Sequence, residues 1–278
     1  MWDCTEGLIS KQTVDELRLF VLNKYQSKWS HGKVLSFAKA FLQYLTKIRL
    51  DTRYYAFEVF LDRPKVIKAR NNVTSRIVMQ EDIQNVLSHI TNAGNDGSIS
   101  SYRAKHYTAF ILFGAFTGQR SLSTISKLTV GQFREAIQSD KPCTEVQSSQ
   151  DMIKMQHYVP LHPQVIHAIK PLLDDINDDK PLFEYNSLAP WVKRQQIPLS
   201  RMQTCFVLGD LRKFTEQYGD IIQWDQSNRA YIMTHGVSGI DWKHYKHPLP
   251  ENVYDVYMQY WVDVRLACED ARTEQRFG

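Results

Sequence analysis

The longest apolar run in the chain, Ala109 to Phe116 (AFILFGAF), closes a helical segment that starts near Tyr102. Its length constrains the fold, because a bilayer-spanning helix needs roughly 20 such residues and this run has about half of them. The segment is therefore expected in a protein core. With 43% hydrophobic and 12% aromatic residues, the chain has the apolar material to build one. At 278 residues it is too long for one small core and about right for two domains.

Helical spacing dominates on both sides of that run. Thr13 to Glu16 has the spacing of a capping box, and Val14, Leu17, Val21, Leu22 and Tyr25 follow on one face. A turn is expected around Ser30-His31-Gly32, then a helix with Ala38, Phe41, Leu42, Leu45 and Ile48 on its apolar face. Tyr54 to Leu61 suits a third short helix, ending before Pro64. Arg63 to Arg76 holds Arg63, Lys65, Lys68, Arg70 and Arg76, no acid and no sustained period, the composition of a basic linker. Helices are expected again over Gln80 to Ile90 and Tyr102 to Phe116. Residues 143–161 change character: Thr144 and Val146, then Ile153, Met155, Tyr158 and Val159, surround a polar Ser-Ser-Gln-Asp turn, which predicts a β-hairpin. Helices resume after Pro163. The fold class expected is mainly α with a small β-sheet or hairpin.

Lys plus Arg number 34 against 30 acidic residues, for a formal net charge of +4 and a pI near 8.7. That permits a polyanionic partner without requiring one. The N-terminal MWDCTEGLIS carries acids and no apolar h-region, unlike a secretory signal. Cys4, Cys143, Cys205 and Cys268 lie far apart, with neither a C-x-x-C pair for zinc or redox chemistry nor a disulfide framework. They are expected to be small buried or half-buried residues in a reducing, cytoplasmic setting.

The candidate chemistry lies in the second half. Thr117-Gly118-Gln119-Arg120 follows the apolar helix, and Lys154 lies on the expected hairpin. Asp210-Leu211-Arg212-Lys213-Phe214-Thr215 comes next, then Thr234-His235-Gly236, with Tyr245 ten residues after that histidine. Tyr254, Tyr257 and Tyr260 recur at helical spacing and suit a packing stripe on the last helix, which Tyr245 precedes. His157, on the hairpin, suits a structural role.

The order Arg, hairpin Lys, Leu-Arg, His-Gly, Tyr resembles that of the tyrosine recombinases, or phage-type integrases, over nearly the whole chain. The resemblance implies a helical core-binding domain over 1–65, a basic linker over 66–77 and a catalytic tyrosine-recombinase domain over 78–278. The arrangement around Trp242-Lys243-His244-Tyr245 looks more like archaeal or viral members than common bacterial ones. The implied activity is site-specific DNA recombination or integration through a covalent 3′-phosphotyrosine. Arg120 and Arg212 would stabilise the phosphorane, Lys154 would act as general acid, His235 would assist and Tyr245 would be the nucleophile. The implied partner is double-stranded DNA, clamped by a homotetramer on two paired sites, with no membrane, metal or cofactor. Three positions depart from the family pattern. Gly209 stands in place of a histidine three residues before the second arginine, and Ser123 in place of an acid three residues after the first. Thr234 replaces a glycine before His235, with Gly236 after it. Lys213 and His244 are secondary candidates, for a phosphate contact and for the role vacated at 209.

Those residue types suit that chemistry. Tyrosine attack on a phosphodiester passes through a state with added negative charge on the nonbridging oxygens, and guanidiniums answer it with permanent charge and paired donors. Losing one such preorganised donor costs roughly 3–4 kcal/mol. A tyrosine of pKa about 10 needs activation, and the leaving 5′-oxygen needs a proton that a lysine can supply. Two alternatives use the same features. A type IB topoisomerase shares the tyrosine chemistry, and a DNA-binding clamp that has lost catalysis would account for Gly209.

Overall fold

Helix α4 (Ser101–Thr117) is buried at every residue from Ala109 to Thr117. Its start is set by Ser100, whose hydroxyl accepts the Arg103 N–H, and its end by Gly118, in left-handed conformation at φ +64°. A side chain at Gly118 would also meet Met233 Cε at 2.8 Å. The computed structural model describes residues 10–25, 28–50, 54, 61, 76–174, 176–235 and 248–267, and structural statements below concern those.

Within them the protein is mostly helical, with one small two-stranded antiparallel sheet. The chain divides into two compact units, Met1–Val73 and Thr74–Gly278. In the larger unit, α3 (Gln80–Asn95) packs on α4, and two later helices join it: α6 (Pro163–Ile169) and α8 (Asp210–Ile221). Two glycines allow the close approaches. A Cβ on Gly94 would meet Ala104 Cβ at 2.9 Å, and one on Gly114 would meet Leu211 Cδ1 at 2.6 Å. Helix α3 continues past the expected end at Ile90 to Asn95. One interior glycine costs only about 1 kcal/mol, and the chain breaks instead at Gly97, where φ is +80°.

Strands β1 (Cys143–Val146) and β2 (His157–Pro160) pair in register from Cys143↔Pro160 to Val146↔His157. The sheet lies against α5 (Val130–Ile137) on the β1 side and α10 (Pro250–Trp261) on the β2 side. Ile153, Lys154 and Met155 therefore belong to the connection between the strands, not to a strand. Helices α7 (Tyr185–Gln195) and α9 (Gln226–Ile232) complete the unit. Its core is aromatic, with Phe110, Phe113, Phe116, Phe133, Tyr257 and Trp261 fully buried.

The smaller unit holds α1 (Lys11–Lys24) and α2 (Lys28–Lys47) around Val14, Val21, Leu35, Leu42, Tyr54 and Leu61. Three local expectations change here. The capping box is Ser10 with Thr13 rather than Thr13 with Glu16. Ser30-His31-Gly32 lies inside α2, where Gly32 O accepts the Ser36 hydroxyl at 2.6 Å; α1 ends before it, at Lys24. Phe41 and Ile48 are 54% and 68% exposed, because the buried face of α2 runs through Leu35 and Leu42.

The third helix expected over Tyr54 to Leu61 lies outside the described residues except at its two ends, as does the linker except at Arg76. Cys4 and Cys268 also fall outside them. Cys143 is a half-buried free thiol, which burial pushes up to about 12, whereas Cys205 is free and exposed rather than buried. Among the described residues no helix is long and apolar enough to cross a membrane.

Candidate active site

The close packing of α4 on α8 brings together the two arginines that stand 92 positions apart in sequence. Leu211 fills the space beside Gly114, and Thr215 Oγ1 donates to Ala115 O at 2.7 Å. Arg212, on the first turn of α8, thereby reaches the end of α4, where its Nη1 donates to Gly118 O at 2.8 Å. Arg120 follows two residues later on a turn held from both sides. Gln119 is buried and donates from Nε2 to Ile232 O at 2.5 Å, and Ser121 Oγ donates to Leu208 O at 3.0 Å. Arg120 Nη1 donates to Thr234 Oγ1 at 2.9 Å and stands 3.5 Å from Asp151 Oδ1, with 24% of its side chain exposed.

Of the two guanidiniums, Arg212 is the poorly compensated one. Arg212 Nη2 is buried and has no hydrogen-bond partner among the described residues. Burial lowers the Arg212 pKa to about 10, and the Arg120 charge acts in the same sense, against Glu216 and Asp151. Arg212 remains cationic at neutral pH, yet its environment disfavours that charge. An anion placed against Nη2 would supply both the missing acceptor and the missing countercharge.

His157 is also buried beside this pair. Its Nδ1 lies 3.1 Å from Met155 O, which assigns the proton to Nδ1 and leaves Nε2 as a lone pair without a partner. Burial lowers its pKa, helped by the Arg120 and Arg212 charges, so the ring is neutral at pH 7. Edge-on contact with Tyr231 gives it the packing expected of a structural residue.

Lys154 is exposed, with left-handed backbone at φ +60°, and its neighbours Ile153 and Met155 donate backbone N–H bonds to Asp151. His235 has 59% of its side chain exposed and its Nδ1 lies 3.6 Å from Glu216 Oε1. Glu216 Oε2 is 3.5 Å from Lys213 Nζ, so His235 and Lys213 flank one carboxylate on α8. Tyr245, His244 and Gly236 lie outside the described residues. Tyr257 is fully buried and its hydroxyl donates to Phe116 O at 3.0 Å; Tyr254 is half-buried, and Tyr260 packs partly on the core.

Of the predicted residues, the described structure brings Arg120 and Arg212 together and ties the Lys154 turn and the residue before His235 to Arg120. Two participants escape a reading of the sequence. Thr234 is legible there only as a departure from a family pattern. Asp151 carries no sequence signal, since its partners Arg120 and Thr234 are distant in the chain. Gly209, at the N-terminus of α8, has ordinary helical backbone and nothing within 4 Å of where a Cβ would stand. Among the described residues no group of three His, Cys, Asp or Glu converges as a metal site would require.

No family model and no curated protein matches the sequence. The chain is similar to a solved structure described as XerA recombinase, with TM-score 0.41 and 17% identity over 91% of this chain and 83% of that one.

Proposed function

We propose that the protein is a DNA strand transferase of the tyrosine-recombinase type, whose Arg120–Arg212 pair holds the scissile phosphate. The observation that carries this is the buried Arg212 Nη2, a guanidinium donor without an acceptor beside a second guanidinium. Leaving such a charge uncompensated costs free energy in the empty site, and a phosphodiester oxygen removes the cost on binding. In the cleavage step the Tyr245 hydroxyl gives its proton to His235 and its oxygen forms a bond to phosphorus as the bond to the 5′-oxygen breaks. The electron pair passes to that oxygen and Lys154 supplies its proton. The product is a 3′-phosphotyrosine, from which a free 5′-hydroxyl can rejoin the strand. Support for Tyr245 comes from one rival, Tyr257, whose hydroxyl is already engaged in the core. Double-stranded DNA is the proposed substrate, and exchange between two duplexes by four subunits follows the family pattern.

The test is incubation with a nicked suicide DNA substrate, followed by mapping of the linked residue. A covalent adduct at Tyr245 is expected; an adduct at another tyrosine removes Tyr245 from the assignment. A non-catalytic DNA clamp is the second reading, favoured by the bare α8 N-terminus at Gly209. Tight DNA binding without any adduct would establish it. Supercoil relaxation without exchange between two sites would identify a type IB topoisomerase-like enzyme.

A further inference from the structure

We propose that Asp151 is a positioning residue that couples the turn bearing Lys154 to the Arg120 side of the site. The inference rests on the strand-transfer chemistry proposed above.

Asp151 is buried, and its two carboxylate oxygens have separate sets of partners. Oδ1 accepts the Thr234 hydroxyl at 3.3 Å and stands 3.5 Å from Arg120 Nη1. Oδ2 accepts the backbone N–H groups of Ile153 at 3.1 Å and Met155 at 3.2 Å. These two N–H groups bracket Lys154, whose own N–H donates to Asp151 O at 3.3 Å. Lysine at φ +60° is in a conformation that costs about 1 kcal/mol or more and persists only where the surroundings impose it. The carboxylate imposes it by gripping the residue on either side. Gln150 secures the preceding position, with Nε2 donating to Lys127 O at 2.8 Å.

The requirement is for a carboxylate in particular. Asp151 faces a hydroxyl, a guanidinium and two backbone N–H groups, all of them donors. An ionised carboxylate accepts on both oxygens, whereas an asparagine would turn an NH₂ group toward one pair of donors or the other. One side chain thus links the exposed ammonium of Lys154 to the guanidinium that binds phosphate. The link matters only in the step where the 5′-oxygen leaves and takes the lysine proton.

The experiment compares Asp151→Asn, Lys154→Ala and Arg120→Ala on two suicide DNA substrates, one with the ordinary 5′-bridging oxygen and one with a 5′-bridging sulfur. A thiolate leaves without protonation, so it bypasses the general acid. Asp151→Asn and Lys154→Ala are expected to slow cleavage of the oxygen substrate at least about tenfold and to recover most of that loss on the sulfur substrate. Arg120→Ala stays slow on both. Asp151→Glu, which keeps the charge but displaces both oxygens by a methylene, gives the same pattern and serves if the asparagine variant fails to fold. An Asp151 variant equally slow on both substrates, or unaffected on both, overturns the proposal. A second readout needs no DNA: trypsin should cut after Lys154 faster in Asp151→Asn than in the parent, and an unchanged rate there also overturns it. If the parent protein cleaves neither substrate, the strand-transfer reading fails, and the trypsin measurement decides the role of Asp151 by itself.

Discussion

Thr234 presents its hydroxyl to Arg120 from a backbone angle that threonine rarely adopts: Oγ1 lies 2.9 Å from Arg120 Nη1 while φ stands at +49°. A β-branched residue in that region is strained, and a glycine there would not be. The hydroxyl is what glycine would lose, because Oγ1 both accepts from Arg120 and donates to Asp151. Thr234→Val keeps the shape, leaves a buried carboxylate short of a donor and is expected to lower stability by about 1–2 kcal/mol in urea unfolding. Thr234→Ser should lose less than half of that.

The Arg212 site should trade stability for anion binding. Replacing a buried, uncompensated guanidinium with an apolar chain of similar length is expected to leave stability equal or higher, although the hydrogen bond to Gly118 O goes. Arg212→Met should therefore melt no lower than the parent while cleaving DNA at least about 100-fold more slowly. Inorganic sulfate should raise the parent melting temperature more than that of Arg212→Met, by linkage. Arg212→Lys should rescue cleavage poorly, since an ammonium lacks the paired donors. Cleavage at the parental rate in both Arg120→Ala and Arg212→Ala would remove the phosphate-binding role.

Acid should weaken the fold through buried histidines. His162 stacks on Phe116 at 3.9 Å between ring centres, and burial pushes its pKa down to about 4, against the bond to Trp261 O. The unfolded chain binds that proton near pH 6.5 and the folded one does not. The contribution is therefore complete above about 6.5 and is lost as pH falls toward 4, on the order of 3 kcal/mol in all. His106 and His157 shift in the same direction. Urea midpoints measured from about pH 7.5 to about pH 4.5 should fall steadily, with a shallower slope in His162→Gln.

Arg76 should behave unlike the cations that precede it. Its guanidinium forms a bidentate pair with the buried Asp210, at 2.6 and 2.7 Å, and also donates to Cys205 O. Arg76→Ala strands that carboxylate and should cost about 2 kcal/mol or more, with little change in the salt dependence of DNA binding. Replacing Lys65, Lys68 and Arg70 with alanine should leave stability alone and flatten the log–log salt slope by roughly 0.9 for each phosphate no longer neutralised. An unchanged slope would make that stretch a tether only.

Gly209→His should be tolerated. The position has ordinary helical φ, and nothing stands within 4 Å of an added Cβ. A melting temperature within about 3 °C of the parent is expected, together with cleavage at least as fast. A loss of cleavage with an unchanged fold would mean that another group needs that open space.

The helices are largely legible in the sequence because their determinants are local. Apolar spacing, the Ser100 cap and the break at Gly118 set α4 within a residue or so of where the pattern places it. Where local signals compete, the pattern misleads. Gly32 suggests a turn, although a single glycine is too weak to break a helix, and Phe41 and Ile48 fit a buried face that the actual partner helix does not cover. Arg120 and Arg212 stand out as residue types, but nothing in their spacing states that they come together, Arg120 paired with Asp151 and Arg212 with one buried donor unpaired. That depends on Gly114 letting Leu211 into contact, on Gln119 and Ser121 anchoring the turn, and on Thr234 arriving at an unfavourable φ. Asp151 is invisible in the sequence for the same reason. Its bonds to the Ile153 and Met155 N–H groups are local, but its contacts with Arg120 and Thr234 come from positions distant in the chain, and sequence periodicity encodes only neighbours on one element. Composition, caps and periodicity determined which helices form; the close packing of α4 on α8 decided which charges meet.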